Sequence, residues 1–292
     1  MTHRRTGMKF TLLGPLTATH NGKRMPCGST KQQILLSYLL LHANRQVTVA
    51  ELIEALWGVH PPVSAVKNIQ LYVGRLRRTL RSTESEQRLH TVGKGYLLSA
   101  GPDEIDLEHC HRLIQRGTLA WRASERDDAA RLFAEALSLW RGRPLSALMG
   151  TASMAAEIRC LEELRLMLHE NYIEVLLEAG RHREVVSDLQ RLVDAHPHHE
   201  RLRFQLMLAL ARAGDRLTAL AAYRDGYHLL AKDLGIEPCR ALRELHDSIL
   251  TDTVPPVPQQ PEGRPRGAVS SPHREADLPS FPEHLRAVSV RP

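Results

Sequence analysis

The sequence is poor in cysteine, in aromatic residues and in long apolar runs. Its 292 residues include only 4 cysteines, and none belongs to a Cys-x-x-Cys pattern, which argues against a disulfide framework and predicts free thiols in a reducing compartment. The longest apolar run, residues 34–41, is interrupted by Ser37 and Tyr38 and is too short to span a membrane. The charged N-terminus leads into an apolar stretch that is too short for a signal peptide. These features predict a cytoplasmic protein with no membrane partner.

The sequence also lacks the patterns of catalysis, nucleotide binding and metal binding. The tripeptide Gly93-Lys94-Gly95 lies between two strand-like segments, whereas a phosphate-binding P-loop needs GxxxxGK[ST] between a strand and a helix. Histidines cluster at 109–111 and at 196–199, but adjacent residues on a helix point about 100° apart, and the second cluster lies in a turn. We therefore predict no enzymatic activity, no cofactor and no metal site.

What the sequence does have is a strongly uneven distribution of charge. Residues 1–100 contain 14 Lys and Arg against 4 Asp and Glu, whereas residues 101–250 contain 20 against 24. The net charge of +6 therefore conceals a basic first third and a mildly acidic remainder. This asymmetry predicts a polyanionic partner for the N-terminal part of the chain.

The pattern of the first hundred residues predicts small strands, three helices and a hairpin. The pair Asn21-Gly22 between short β-prone runs is typical of a hairpin turn. Three helices are predicted in turn: from Ser29 or Thr30 to about Ala43, from Thr48 to Gly58, and from about Val63 to Arg81. Two short strands, 88–92 and 96–100, then flank the Gly-Lys-Gly turn. This order is that of a winged helix preceded by an extra N-terminal sheet.

The third predicted helix has two faces of opposite character. A stripe within about 80° at the helical period would face the core, and it consists of Val66, Ile69, Val73, Leu76 and Leu80. The opposite side contains Lys67, Leu71, Gly74 and Arg78, and no acidic residue occurs from Lys67 to Arg81. A solvated surface helix is the alternative, but such helices usually mix both signs because opposite charges four residues apart stabilise them. The position before a hairpin turn favours nucleic acid, whose phosphates would supply the missing charge.

Residues 106–250 are helical in pattern and contain a 34-residue period. Ala179-Gly180 aligns with Ala213-Gly214, and Val186 aligns with Leu220 at the same offset. A helix-turn-helix period of this length is typical of tetratricopeptide (TPR) repeats. A third segment, residues 127–142, resembles the second helix of such a pair. The predicted fold class is mainly α: a winged helix-turn-helix with an added small β-sheet, followed by an all-α TPR-like domain.

Several segments carry a resemblance to a known family. MKFTLLGPL, LLLHANRQVTVAELIEALWG, PPVSAVKNIQLYVGRLRRTL and GYLL together resemble the OmpR-type winged-helix DNA-binding domain of the Streptomyces antibiotic regulatory proteins (SARPs). The stretch from EIDLEHCHRL through LSLWRGRPL and GRHREVVSDL to LRELHDSIL resembles the bacterial transcriptional activation domain of that family. The resemblance covers residues 8–250 with the motifs in order.

The resemblance implies a transcriptional activator of a secondary-metabolite (antibiotic) biosynthetic gene cluster. Such a protein binds direct repeats near the −35 element as a side-by-side dimer and recruits RNA polymerase, including its sigma factor. The chain is expected to be a small member of the family, without an ATPase domain. Its expected parts are a flexible N-terminus (1–7), the DNA-binding domain (8–100), a polar joint (101–105), the activation domain (106–250) and a disordered proline-rich tail (251–292).

The resemblance also assigns site residues by position. The expected DNA contacts are Lys67, Asn68, Gln70, Tyr72, Arg75, Arg77 and Arg78 on the recognition helix, and Thr91, Lys94 and Tyr96 on the wing. Arg75 is predicted to read a base edge, and Arg77, Arg78 and Tyr72 to hold phosphates. The loop predicted to face polymerase contains Trp57, Gly58, Val59, His60, Pro61 and Pro62. Gly74 stands where the family often has a polar residue, so one phosphate contact is expected to be missing there.

Two other functions fit the sequence less well. One is a TPR-type interaction scaffold whose N-terminal domain binds a protein, and the other is a winged-helix repressor. The dependence of duplex binding on salt distinguishes the first alternative from DNA binding, and transcription in vitro distinguishes the second from an activator.

Overall fold

The computed structural model describes residues 7–81, 87–148 and 154–254, which divide into two compact units. The described part of the first unit comprises residues 7–81, 87–115, 135–148 and 154–166, and that of the second comprises residues 116–134 and 167–254. Most of the predicted N-terminal segment and the predicted tail from Pro255 onward lie outside the described residues. Among the described helices, none is both long and apolar enough to cross a membrane.

The first unit begins with an antiparallel sheet of three strands. These are β1 (Met8–Thr11), β2 (Thr17–His20) and β3 (Lys23–Met25), in that order across the sheet. Asn21 and Gly22 connect β2 to β3 with φ angles of 51° and 78°, the left-handed conformation that a tight hairpin turn requires. The hairpin predicted from this dipeptide is confirmed.

Three helices follow, as the sequence pattern predicts. They are α1 (Thr30–Leu41), α2 (Val49–Trp57) and α3 (Ala65–Leu80). At the start of α2, Thr48 and Glu51 form a capping box: the Glu51 amide donates to Thr48 Oγ1 (3.2 Å) and the Thr48 amide donates to the Glu51 carboxylate (2.7 Å). Gly58 ends this helix with a φ of 61°. All three helices are confirmed within two residues of their expected ends.

A second antiparallel sheet forms the wing. Its strands are β4 (Gln46–Thr48), β5 (Leu89–Val92) and β6 (Gly95–Leu98), with β6 in the middle. The sequence predicted β5 and β6 but not β4, because three residues are too few to show a β alternation. Gly95 permits the pairing of β4 with β6, since a Cβ at this position would lie 2.2 Å from the carbonyl oxygen of Val47.

The segment expected to be a polar joint is instead packed into the first unit. The Phe10 amide donates to the Glu104 carbonyl (2.7 Å), and Ile105 is fully buried in a parallel bridge with Phe10. The next residue, Asp106, accepts hydrogen bonds from the amides of Leu12 (2.8 Å) and Leu13 (3.2 Å). Burial raises the pKa of Asp106 to about 6, although these amides oppose the shift. The segment is therefore a structural part of the unit, and the expectation of a joint is corrected.

Seven further α-helices lie in the described chain, together with a short 3₁₀ turn at Ser146–Leu148. They are α4 (Asp106–Arg122), α5 (Arg126–Ser138), α6 (Ala155–Glu178), α7 (His182–Ala195), α8 (Glu200–Arg212), α9 (Arg216–Leu234) and α10 (Arg240–Leu250). Within the second unit, α8 packs against α7, α9 and α10.

Four of the described helices end, within the second unit, in the same hydrogen-bonded turn. Around Gly180, the amides of residues 179, 180 and 181 donate to the carbonyls of residues 175, 177 and 176. The same three bonds recur around Gly214, Ser124 and Asp252, and all four central residues have a positive φ, between 57° and 90°. This is the pattern of a Schellman motif. The turns at Gly180 and Gly214 confirm the predicted repeat, whereas Ser124 and Asp252 escaped the sequence comparison because neither is glycine.

Candidate nucleic-acid interface

Helix α3 buries one face almost completely. Ile69, Val73, Leu76 and Leu80 are each at most 2% exposed, as the helical period predicts. Val66, which was predicted in the same stripe, is 48% exposed, and Ala65 is buried in its place. The difference arises in the first turn of the helix, where Val66 lies at the margin of the stripe. The buried residues fix α3 to its own unit and leave the opposite face to solvent.

The outward face of α3 is cationic, and its charged groups have no ionic partner among the described residues. Lys67, Arg75 and Arg78 are exposed, and none of them forms a salt bridge with another described residue. Some exposed arginines elsewhere, such as Arg122, Arg183 and Arg224, also form no salt bridge with a described residue, but four others form ion pairs with an acidic residue three or four positions away. These pairs are Arg131–Asp128, Arg181–Glu184, Arg191–Asp188 and Arg240–Glu244. Since α3 itself contains no acidic residue, no described group neutralises its outward charge.

Arg77 is engaged inside the unit. Its Nε donates to the carbonyl of Leu89 (2.8 Å), and its Nη2 donates to Thr91 Oγ1 (2.7 Å). The guanidinium group also lies 5.9 Å from the centre of the Tyr96 ring, within the range of a cation–π contact. Arg77 thus braces α3 against strand β5, and we revise its predicted role from phosphate contact to positioning of the wing.

The three predicted wing residues differ in what they can offer to a partner. Lys94 is exposed in the turn between β5 and β6, and its backbone carbonyl accepts from the Val49 amide at the start of α2 (3.1 Å). Thr91 is exposed but accepts the hydrogen bond from Arg77. Tyr96 is only 7% exposed, and its ring contacts the Arg77 guanidinium group. The predicted DNA contact of Tyr96 stays a prediction, and the exposed Lys94 is the more accessible of the two side chains.

The remaining predicted residues of α3 lie at or beside the cationic face. Gln70 is exposed. Asn68 is half-buried, and its Nδ2 donates to Ser64 Oγ (3.1 Å), which links it to the N-terminal end of the helix. Tyr72 is half-buried at the edge of the face. The structure therefore leaves the amide of Gln70 more accessible than that of Asn68.

The loop between α2 and α3 has a fixed base and an exposed tip. Trp57 is half-buried, with the Lys31 ammonium 5.5 Å from its ring centre, and Lys31 also donates to the carbonyl of Leu56. Gly58 follows at the helix end. Beyond it, Val59 is 87% exposed, and the other exposed residues of the loop are His60, Pro61, Pro62 and Val63. An exposed valine two residues before a pair of prolines, whose φ angles are fixed, is an apolar feature that a protein partner could contact.

Sequence reasoning missed the residues that hold these groups in place. Gln46 on β4 donates from its side chain to the carbonyl of Val92 at the wing turn (3.0 Å). Ser64 and Thr91 accept from α3 side chains, as described above. A single serine or threonine gives no signal that distinguishes such a partner, although Ser64 lies only four positions from Asn68 and Thr91 lies fourteen from Arg77. Over the described residues, no group of three or more His, Cys, Asp or Glu side chains is placed to hold a metal ion.

Comparison with known proteins identifies two family models in the chain. The model described as "Transcriptional regulatory protein, C terminal" matches residues 25–98, and the "Bacterial transcriptional activator domain" matches residues 105–250. The first match contains α1 to α3 and the wing, and the second contains all seven later helices.

Individual relatives agree with both matches. The regulatory protein AfsR of Streptomyces griseus is 39% identical over 83% of this chain, which spans only 24% of the length of AfsR. The regulatory protein DnrI of Streptomyces peucetius is 35% identical over 83% of this chain and 92% of its own length. Among solved structures, Mycobacterium tuberculosis EmbR in complex with a low-affinity phosphopeptide has a TM-score of 0.80 and 34% identity, over 84% of this chain and 65% of that one.

Proposed function

The chain belongs to the SARP family of transcriptional regulators, and on that premise we propose that it is a sequence-specific DNA-binding activator of a secondary-metabolite biosynthetic gene cluster. It binds direct repeats near the −35 element as a side-by-side dimer. It then recruits RNA polymerase, including its sigma factor. This function places the chain in the cytoplasm, at the nucleoid.

One observation carries the DNA-binding part of the proposal: the outward face of α3 holds exposed cations without ionic partners among the described residues. A phosphate backbone supplies negative charge along a line, so several contacts form at once and their counterions are released. The buried stripe on the other side of α3 fixes the rotation of the helix about its axis, so the cationic face stays exposed to solvent. An ordinary solvated helix face usually mixes charges of both signs, whereas α3 contains no acidic residue.

The exposed groups divide by chemistry into those that contact base edges and those that contact phosphates. Arg75 and Gln70 reach base edges, because a guanidinium group can pair with guanine and a side-chain amide with adenine in the major groove. Lys67 and Arg78 hold phosphates near the two ends of the helix. Lys94 reaches the backbone from the wing turn. Arg77 sets the angle between α3 and the wing, so it affects all of these contacts indirectly.

The contact with polymerase is assigned to the loop from Trp57 to Pro62. Its support is the combination of an anchored base at Trp57 with the exposed Val59 and a Pro61-Pro62 pair, which reduces the ordering cost of binding. The family match over residues 105–250 supports a role for the later helices in activation.

A binding experiment tests the first half of the proposal. Fluorescence anisotropy of the full chain with a duplex selected from a random-sequence pool should give an affinity that falls linearly in log–log form as salt rises from about 50 to about 200 mM. Arg78→Gln should weaken binding, whereas Arg240→Gln, which removes an exposed arginine of α10, serves as the matched control and should leave it unchanged. Failure to bind any duplex would contradict the proposal.

A transcription experiment tests the second half. Adding the protein to an actinobacterial RNA polymerase holoenzyme and a promoter that carries the selected site should increase the amount of transcript. Val59→Ser should reduce this increase without changing duplex affinity. A decrease in transcript on adding the protein would identify a repressor and refute the claim of activation.

A further inference from the structure

The outermost line of α3 contains an uncharged gap between two cations. At about 100° per residue, Lys67, Leu71, Gly74 and Arg78 lie within about 60° of one another, with Leu71 opposite the buried stripe. Leu71 is 49% exposed, and a Cβ added at Gly74 would meet no atom within 4 Å. The middle of the line therefore offers one apolar side chain beside an open space. We refer to these two residues as the Leu71–Gly74 notch.

Neither residue of the notch is explained by folding. An exposed leucine contributes little to the core, and glycine inside a helix lowers stability relative to alanine because it loses more conformational freedom. Gly74 has neither a positive φ nor a close neighbour that would require it. Both residues are therefore unfavourable or neutral in the free protein, and both are accessible to a partner.

The position of the notch on α3 indicates which part of a duplex it meets. Lys67 and Arg78 are eleven positions apart, a rise of about 16 Å along the helix, whereas the major groove is about 12 Å wide. Cations at the two ends of this line can therefore reach phosphates on opposite sides of the groove. The residues between them then lie over the base edges.

We propose that the Leu71–Gly74 notch binds the C5-methyl group of a thymine and makes the protein require thymine at one position of each half-site. This inference rests on the proposed DNA-binding function. Thymine alone presents a methyl group in the major groove, beside the hydrogen-bond donors and acceptors of the base edges. A leucine placed against a polar base edge would remove water from it without replacing the hydrogen bond. The missing side chain at Gly74 leaves space for the methyl group beside Leu71.

Replacing single thymines by deoxyuridine tests the proposal, since it removes only the methyl group. The probe is the duplex selected by the protein from a random-sequence pool, with each thymine replaced in turn. One position per half-site should weaken binding about fourfold, the effect of one methyl group returned to water. The same replacement should have no further effect on Leu71→Ala, which already lacks the contact.

Gly74→Ala supplies a second test, in which thermal stability should rise while affinity for the duplex falls. The substitution should raise the melting temperature by about 1–4 °C, because alanine favours the helix and meets no neighbour. It should nevertheless weaken binding to the thymine duplex and abolish the distinction between thymine and uracil. Increased stability together with unchanged thymine preference would overturn the proposal.

Controls separate this inference from the function on which it rests. Leu217→Ala, at an 82% exposed leucine of α9, should keep the full uracil effect. Leu71→Ala should keep the salt dependence of the wild type, because no charge is removed. If the wild type binds with that salt dependence but every uracil position is neutral, or equally costly in Leu71→Ala, the notch proposal alone fails. If no duplex is bound at all, the proposed function fails.

Discussion

Replacing Arg77 should show whether this side chain stabilises the packing of the wing on α3 or contacts phosphate. Arg77→Met keeps the apolar stem but removes the hydrogen bonds to the Leu89 carbonyl and Thr91 Oγ1, and the contact with the Tyr96 ring. Gln87 still donates to the Leu89 carbonyl (2.9 Å), so this oxygen is not left without a partner. The hydrogen bonds, one of them exposed, and the cation–π contact together suggest a loss of about 2–3 kcal/mol in the free energy of unfolding.

The matched variant is Arg78→Met, one residue further along α3. Arg78 is exposed and has no ion pair among the described residues, so its removal should leave the melting temperature unchanged. It should instead reduce the slope of log affinity against log salt by about 0.9, the value for one phosphate contact. Arg77→Met should show the opposite combination, with a lower melting temperature, weaker binding and an unchanged slope.

Thermal unfolding and fluorescence anisotropy over a salt series measure both quantities on the full chain. The reasoning would be refuted if Arg77→Met reduced the salt slope as much as Arg78→Met and left the melting temperature unchanged. That result would return Arg77 to the set of phosphate contacts. Equal effects of both variants on stability would instead refute the claim that the hydrogen bonds of Arg77 brace the wing.

Three other predictions concern single side chains. Arg75→Ala should cost about 1–3 kcal/mol of binding and relax specificity at one base pair, as measured by competition with variant duplexes; an equal loss on all sequences would assign Arg75 to phosphate. Asp106→Asn should lower the free energy of unfolding by about 1–3 kcal/mol, because an amide offers one oxygen to the two amides that the carboxylate accepts, and urea unfolding measures the loss. Burial lowers the pKa of His111 to about 4 from 6.5, so unfolding takes up a proton between these pH values and stability falls as pH falls through them. This contribution should vanish in His111→Gln, and a melting-temperature difference from the wild type that stays constant with pH would contradict it.

The predicted DNA contacts stay predictions, but the structure changes their relative weight. The sequence could place Arg75, Arg77 and Arg78 on the outer part of α3 from the helical period alone. It could not show that the middle arginine is bonded to β5, because that contact joins residues separated by at least twelve positions. Tyr96 lies on a strand of the wing, as the sequence predicted, but its side chain is buried.

Local patterns were sufficient for most of the secondary structure. Asn21-Gly22 specifies a hairpin turn, and Thr48 with Glu51 specifies a helix start, because the groups that stabilise each feature are adjacent in sequence. The repeated turn at Gly180 and Gly214 was visible for the same reason. Strand β4 and the turn at Ser124 were not, since one depends on pairing with β6 and the other uses a residue that rarely adopts a positive φ.

The sequence by itself determined which helix faces inward, where charge accumulates and which family the chain resembles, because each of these follows from the order of side chains along one element. Only the tertiary structure decided which charged groups are still available to a partner. Arg77 is held by Leu89 and Thr91, whereas Arg75 and Arg78 are not, and no local pattern distinguishes them. The reason is that a side chain's availability depends on what the folded chain brings within hydrogen-bonding distance of it, and this is set by packing between elements.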